Sequence, residues 1–417
     1  MEANPACIEK VMELGRKGVA IPNPLAVEIG AEVEVGNISG HGVTIYPGCR
    51  IAGAKTVISA GVTLGKEAPV TVEDCQLGPG VELKGGYFGK STFLEKANMA
   101  LGAHVREGCL LEEEANGAHC VGIKQTILFP FVTLGSLINF CDCLMAGGTS
   151  RKDHSEVGSS YIHFNFTPNG DKSTPSLFGD VPRGVMLNQP AIFLGGQGGA
   201  VGPIRIGFGC VTAAGSVIRD DVPEDRQIII PTPHAGGVRP YKPHAYKNLP
   251  RLLANNLIYM GNLVALGAWY RDVRQPFFER QELGMRVYAG ALDKLAAAMK
   301  ERVQRLRALV TKVADTHPSC GCKRGAGCEL HGNLDAVCAL FAGELNDDAV
   351  GGHRDAFLTA YAAERSDGKD YIKTIQTLSA PVSAAGVRWL QQIVDTLCTR
   401  AAVLWRSVNI PMTAKAV

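Results

Sequence analysis

Between Leu194 and Pro223 the chain divides without gaps into LGGQGG, AVGPIR, IGFGCV, TAAGSV and IRDDVP. Leu194, Ala200, Ile206, Thr212 and Ile218 thereby share one phase, while Gly198, Ile204, Cys210, Ser216 and Val222 hold the fifth place of each block. A period of six is neither the 3.6 of a helix nor the 2 of a long strand, so each block must be a short strand plus a corner. Glycine beside the apolar residue fits such corners, where the backbone visits conformations that a Cβ penalises. The block recurs upstream, with slips, at Ile29/Val35, Ile45/Ile51/Val57, Ile58/Leu64/Val70, Leu77/Leu83 and Leu101. Aliphatic residues at one phase stack from coil to coil into a continuous core, as in other solenoids. An antiparallel sandwich would instead show alternating runs and Asn-Gly hairpins. Residues 27–230 are therefore expected to wind into a parallel β-solenoid.

The rest of the chain reads differently. Residues 1–26 are expected to form an N-terminal helical segment, 231–250 a Pro-rich linker (PTPHAGGVRPYKPHAYKNLP), and 251–417 an α-helical domain. In that last part Leu292, Leu295, Met299, Val303, Leu306, Val310 and Val313 step by three or four, a narrow apolar stripe, with Lys300, Arg302, Arg305 and Arg307 expected on other faces. Trp269, Tyr270, Phe277 and Phe278 suggest a bulky cap over the last coil. Cys320, Cys322, Cys328 and His331 lie close enough to suggest zinc, but CxC is not the usual CxxC knuckle and no second pair follows, so no metal is expected.

Composition narrows the function classes. With 42 basic and 40 acidic residues, net charge +2, there is no excess to coat a nucleic acid or anchor at a membrane surface, and an anionic ligand must be held by local charge. The longest uncharged stretch, Asn255 to Tyr270, carries three asparagines and two glycines and falls short of the roughly 20 apolar residues of a membrane span. Met1 to Gly18 has no apolar core of a secretory signal. Thirteen cysteines, odd in number and scattered, read as reduced thiols, and a cytoplasmic location is expected.

Two interruptions of the repeat are candidates for chemistry, because coils scaffold and loops carry function. MAGGTSRKDHSEVG (145–158) joins a glycine pair to Arg151, Lys152 and His154; the second, 163–190, holds His163, Asn165, Lys172 and Arg183. Glycine N–H groups beside cations make a plausible phosphate cradle, although the Gly-to-Lys spacing is not that of a P-loop. His154, flanked by Asp153 and Glu156, reads as a candidate general base.

The hexads, and above all GSSYIHFNFTPNGDKSTPSLFGD (158–180) with IFLGGQGGAVGPIRIGFGCVTAAG (192–215), resemble the hexapeptide-repeat left-handed β-helix transferases, in particular the acetyltransferase domain of the bifunctional UDP-N-acetylglucosamine-synthesising enzymes and stand-alone UDP-N-acetylglucosamine pyrophosphorylase-related proteins. The resemblance implies three hexads per coil, a homotrimer, acetyl-CoA as co-substrate, and an amino sugar phosphate or nucleotide sugar as the small-molecule partner. By position it makes Asn165 an amino-sugar contact, Lys172 a neighbouring basic contact, and Gly196 and Ala214 part of the acetyl-CoA groove. It departs from the family at chemistry: Phe140 stands where the general-base histidine belongs and Cys143 where a tyrosine belongs. Phenylalanine cannot accept a proton, and loss of a placed base costs on the order of 10²–10⁴ in rate. Acyl transfer would then fall to His154 or His163. The alternative is a sugar-nucleotide-binding or regulatory β-helix protein without turnover. Uridylyl transfer by this chain alone is not expected, since about two dozen residues precede the first hexad.

Overall fold

The computed structural model describes residues 5–411 apart from 233–235, 239, 242, 244–245, 247, 316–325, 344, 346, 366–367 and 369. From Glu28 to Ile229 the chain winds as a parallel β-solenoid with three sheets: sheet I of ten strands, sheet II of eight and sheet III of ten. Most strands are two or three residues long, as a six-residue block with a corner requires. Consecutive hexads go to consecutive sheets: Leu194 lies in sheet III, Ala200 in I, Ile206 in II and Thr212 again in III. Each sheet turns one column inward. In sheet III, Ile45, Leu64, Leu83, Met99, Gly117, Leu134, Val157, Leu194, Thr212 and Ile229 stack in register. Nearly all are fully buried, so the rod's stability rests on one continuous apolar ladder per face.

The corners are less dependent on glycine than the sequence suggests. At successive corners between sheets I and II, Asp74, Lys90, Gln125 and Asp142 hold φ between 49° and 57°, with Gly108 (φ 80°) among them. These side chains point away from the core, so a modest left-handed cost is tolerated where an outward functional group is retained.

Ten helices are described: α1 (Pro5–Lys17), α2 (Val181–Gly184), α3 (Leu249–Trp269), α4 (Gln275–Glu279), α5 (Gly284–Asp315), α6 (Ala326–Gly332), α7 (Leu334–Leu340), α8 (Asp348–Glu364), α9 (Tyr371–Gln376) and α10 (Ala380–Leu404). Helix α1 lies against the first coil, with Lys10 Nζ donating to the carbonyls of Gly30, Ala31 and Val33. A π-helical turn at Tyr270–Arg274 joins α3 to α4, where Pro276 has no N–H to continue an α-helical ladder.

The C-terminal helices do not cap the last coil, contrary to the reading of the aromatic cluster. Helix α5 packs on the sheet II strands Gln76–Leu77 and Thr92–Phe93, and α3 on Ser176–Phe178, so the helical domain lies along the rod's side. Tyr270 Oη donates to Glu112 (2.5 Å), and Arg274 pairs with Glu112 (3.2 Å) and Glu113 midway along the rod. The stripe on α5 is buried at Leu295, Leu306, Val310 and Val313, but Arg302, expected on another face, is 2% exposed. Its charge is met by Asp142 of the rod. Among the described residues no helix is long and apolar enough to cross a membrane. Of the four residues weighed for zinc, Cys320 and Cys322 lie outside the described residues, as does the Cys328 side chain; His331 is exposed.

Candidate functional site

The solenoid distributes the candidate residues of the two interruptions and of the last coils over three corners.

His163, Asn165 and Lys172 come together at the corner between sheets I and II. The strand Ile162–Phe164 leaves sheet I, and the chain returns as Ser176–Phe178 in sheet II. Pro168, Gly170 and Pro175 keep the intervening loop out of a sheet ladder. Buried Asp171 anchors it, accepting from Tyr246 Oη (2.9 Å) and from the Ser173 N–H (3.1 Å). Asn165 is fixed at both ends of its amide: Nδ2 donates to Asp142 Oδ2 (3.1 Å) and Oδ1 accepts from Thr174 Oγ1 (2.7 Å).

These residues line a cavity of about 350 Å³ that also takes Arg106, Lys124 and Asp142 from the rod and Glu301 and Arg305 from α5. Four cationic side chains and two carboxylates face it. Lys124 pairs with Glu107 (2.5 Å), Arg305 with Glu301 (2.8 Å), and Asp142 with Arg302 (2.5 Å). Lys172 is exposed at its mouth, and Arg106 Nη2 reaches Cys141 Sγ (3.5 Å). Burial raises the Cys141 thiol above its ordinary range while Arg106 opposes this, so the sulfur is a thiol at neutral pH and a poor nucleophile.

His163 sits on the cavity's inner wall. Its ring takes the inward position of its strand, stacked in register with Ala200 and edge-on to Phe140 (6.2 Å) and Phe178 (6.5 Å). Nε2 is 2.7 Å from Ser176 Oγ. Burial lowers its pKa to about 4, with Asp142 acting in the opposite direction, so the imidazole is neutral at pH 7. Phe140 is fully buried in the same column, packed 5.2 Å from Phe178, and Cys143 is likewise interior. Neither can reach a ligand.

The second corner, between sheets II and III, carries Arg151, Lys152, His154 and Arg183. The first interruption is a short antiparallel hairpin, Gly148–Ser150 with Asp153–His154, and Gly148 N–H donates to Gln189 O (3.0 Å) in the segment after α2. Arg151 Nη1 donates to Glu114 O (3.0 Å), Phe131 O (2.7 Å) and Thr133 Oγ1 (3.0 Å), strapping the hairpin to the rod. His154 Nδ1 donates to Arg151 O (2.9 Å), and its Nε2 lies 3.9 Å from Glu156 Oε2. Lys152 is exposed at the tip. Arg183 is held by Asp180 (2.7 Å) and Asp225 (2.6 Å) and lies 4.7 Å over the Phe208 ring. Burial opposes its charge, and the two carboxylates overcome that and raise its pKa.

Gly196 and Ala214 occupy the third corner, between sheets III and I, on adjacent coils, where Gly215 N–H donates to Gly196 O (2.9 Å). Ala214 is exposed.

Sequence reasoning did not find Arg106, Lys124, Asp142, Glu301 or Arg305. A signal existed for the first two: they are 18 positions apart, one coil of three hexads, and so must stand one above the other. No local pattern announces the α5 pair.

No family model matches the chain. It is 28% identical over 223 residues to the bifunctional protein GlmU of Trichlorobacter lovleyi, covering 53% of this chain and 43% of that protein. Against the bifunctional protein GlmU of Thermotoga maritima it is 28% identical over 217 residues (52% and 43%), and against that of a Geobacillus species 27% over 208 residues (50% and 40%). The chain thus spans less than half the length of the curated relatives it matches. Over about half of its own residues this parallel β-solenoid chain is a homologue of proteins named bifunctional protein GlmU.

Proposed function

We propose that the chain is an acyltransferase-like protein of UDP-N-acetylglucosamine metabolism, holding an amino sugar phosphate at the corner between sheets I and II. One observation carries the reading: Arg106, Lys124 and Lys172 converge on a cavity in which the Asn165 amide is already fixed in orientation. Fixed polar groups and clustered cations are what recognition of a phosphorylated sugar needs. A cavity of about 350 Å³ is at the low end of the roughly 300–1,000 Å³ of small-molecule sites, which suits one sugar phosphate and leaves the nucleoside of a nucleotide sugar outside.

Acetyl-CoA along Gly196 and Ala214 would lie on a different edge of the same rod from this cavity, so transfer requires a neighbouring rod to bring the two edges together. A homotrimer meets that need. In support, Phe193, Val211 and Ile228 are in register on the outer face of sheet III and are 41%, 40% and 71% exposed. The base would be His154, whose Nδ1 is held by the Arg151 carbonyl, or His163, whose neutral ring would have to turn out of the core column to reach the ligand. The ten described cysteines are all free thiols, which suits a reducing cytoplasm.

A second reading, binding without turnover, is favoured by Phe140, which fills the core where the family carries its base. A thermal-shift panel separates the two, because a ligand of the folded state raises the melting point. Stabilisation by glucosamine-1-phosphate and by acetyl-CoA, with thiol release that His154→Ala or His163→Ala abolishes, supports the enzyme. Stabilisation by UDP-N-acetylglucosamine or glucosamine-1-phosphate with no acetyl-CoA response supports binding alone. No response to any of the three sinks both.

A further inference from the structure

We infer that the helical domain forms one wall of this ligand site, with Arg305 of α5 as its phosphate-selecting contact and Arg302 as a positioning residue that sets Asn165 through Asp142. The inference rests on the cavity reading above and assigns its specificity to a part of the chain outside the solenoid.

Three observations carry it. First, α5 contributes charge to the cavity wall: Arg305 faces it with a side chain 24% exposed, and its Nε is held by Glu301 at 2.8 Å one helical turn away. Among the described residues nothing takes its Nη groups, so the flat end of the guanidinium is free to donate to two phosphate oxygens side by side. Second, a relay runs from the helix to the sugar contact. Arg302, its side chain 3% exposed, donates to Asp142 Oδ1 at 2.5 Å, and the other oxygen of that carboxylate accepts from Asn165 Nδ2 at 3.1 Å. Among the described residues Arg302 and Asn165 are the two side chains that donate to the Asp142 carboxylate, so without Arg302 that carboxylate turns more freely and the anchor it gives Asn165 is loosened. Third, the helix is tied to the loop that closes the cavity. Ser173 Oγ donates to the carbonyl of Arg305 itself (2.9 Å), and Lys312 donates to Asn169 O. Helix and loop therefore move as one wall, so a ligand bridging Arg305 and the rod cations also holds the helix against the rod.

The test is equilibrium binding of glucosamine-1-phosphate and of unphosphorylated glucosamine to the full chain. Arg305→Gln should weaken the phosphate ester about tenfold to a hundredfold, the loss of one charge-assisted contact, and leave glucosamine unaffected. Arg305→Lys should recover only part of this, because an ammonium lacks the planar fork. Arg302→Lys, which keeps the charge in place should Arg302→Gln fail to fold, should weaken both ligands alike. If the wild-type chain binds neither ligand, the cavity reading falls and this inference with it. If the wild type binds and Lys172→Gln weakens the ester while Arg305→Gln does not, the solenoid alone makes the site and only this inference is overturned.

Discussion

Arg302 and Asp142, 160 residues apart in the chain, form an ion pair at 2.5 Å with side chains only 3% and 13% exposed. The pair joins the helical domain to a corner of the rod. Removing Arg302 leaves the buried Asp142 charge without its paired counter-charge, so Arg302→Ala is expected to cost about 3–5 kcal/mol in urea denaturation. The double variant Arg302→Met with Asp142→Asn removes both charges and should recover most of that loss.

A second interdomain contact predicts a pH effect. Burial raises the Glu112 pKa to about 7, against the pull of Arg274 and with the help of Glu113. Between the ordinary glutamate range and pH 7 the unfolded chain ionises this group while the folded chain keeps it protonated. Stability therefore falls as pH rises from about 5 to 8. Glu112→Gln should flatten that slope; an unchanged slope in denaturation at several pH values would refute the assignment.

His163 predicts the opposite limb. Its pKa is lowered to about 4, chiefly by burial, so below about 6.5 the unfolded chain takes up a proton that the folded chain refuses. The stability it contributes is complete above that range and is lost as pH falls toward 4. His163→Gln should weaken this acid sensitivity, read as a shallower fall of the melting temperature between pH 6.5 and 4.5.

Arg151 acts on local order. Its Nη1 group serves three oxygens of the rod, and Arg151→Ala leaves those acceptors and the hairpin without their strap. The expected loss is about 1–3 kcal/mol, with faster amide exchange confined to residues 148–154.

The outer column on sheet III offers an assembly test. Phe193→Glu places a charge in an exposed apolar row of Phe193, Val211 and Ile228. Sedimentation should report a smaller particle for this variant than for the wild type. Identical values would remove this face from the proposed trimer contact.

The rod was legible because its information is local. Leu194, Ala200, Ile206, Thr212 and Ile218 repeat every six residues, and a fixed step combined with inward-facing aliphatic side chains points to stacked short strands, while three hexads to a coil entered with the resemblance and the register with the structure. The stacking of Arg106 beneath Lys124 becomes legible once a coil is known to take three hexads, since the two are 18 positions apart. What the pattern did not contain was which corner each interruption leaves from, and hence that His154 and His163 stand apart. That depends on the running count of hexads and slips, where a single inserted residue changes the edge. The role of α5 lay further out of reach. Arg302 looks like any solvent-facing cation on an amphipathic helix, and only the packing of that helix on sheet II brings Asp142 to it, because a buried charge is stable solely where the fold supplies its counter-charge.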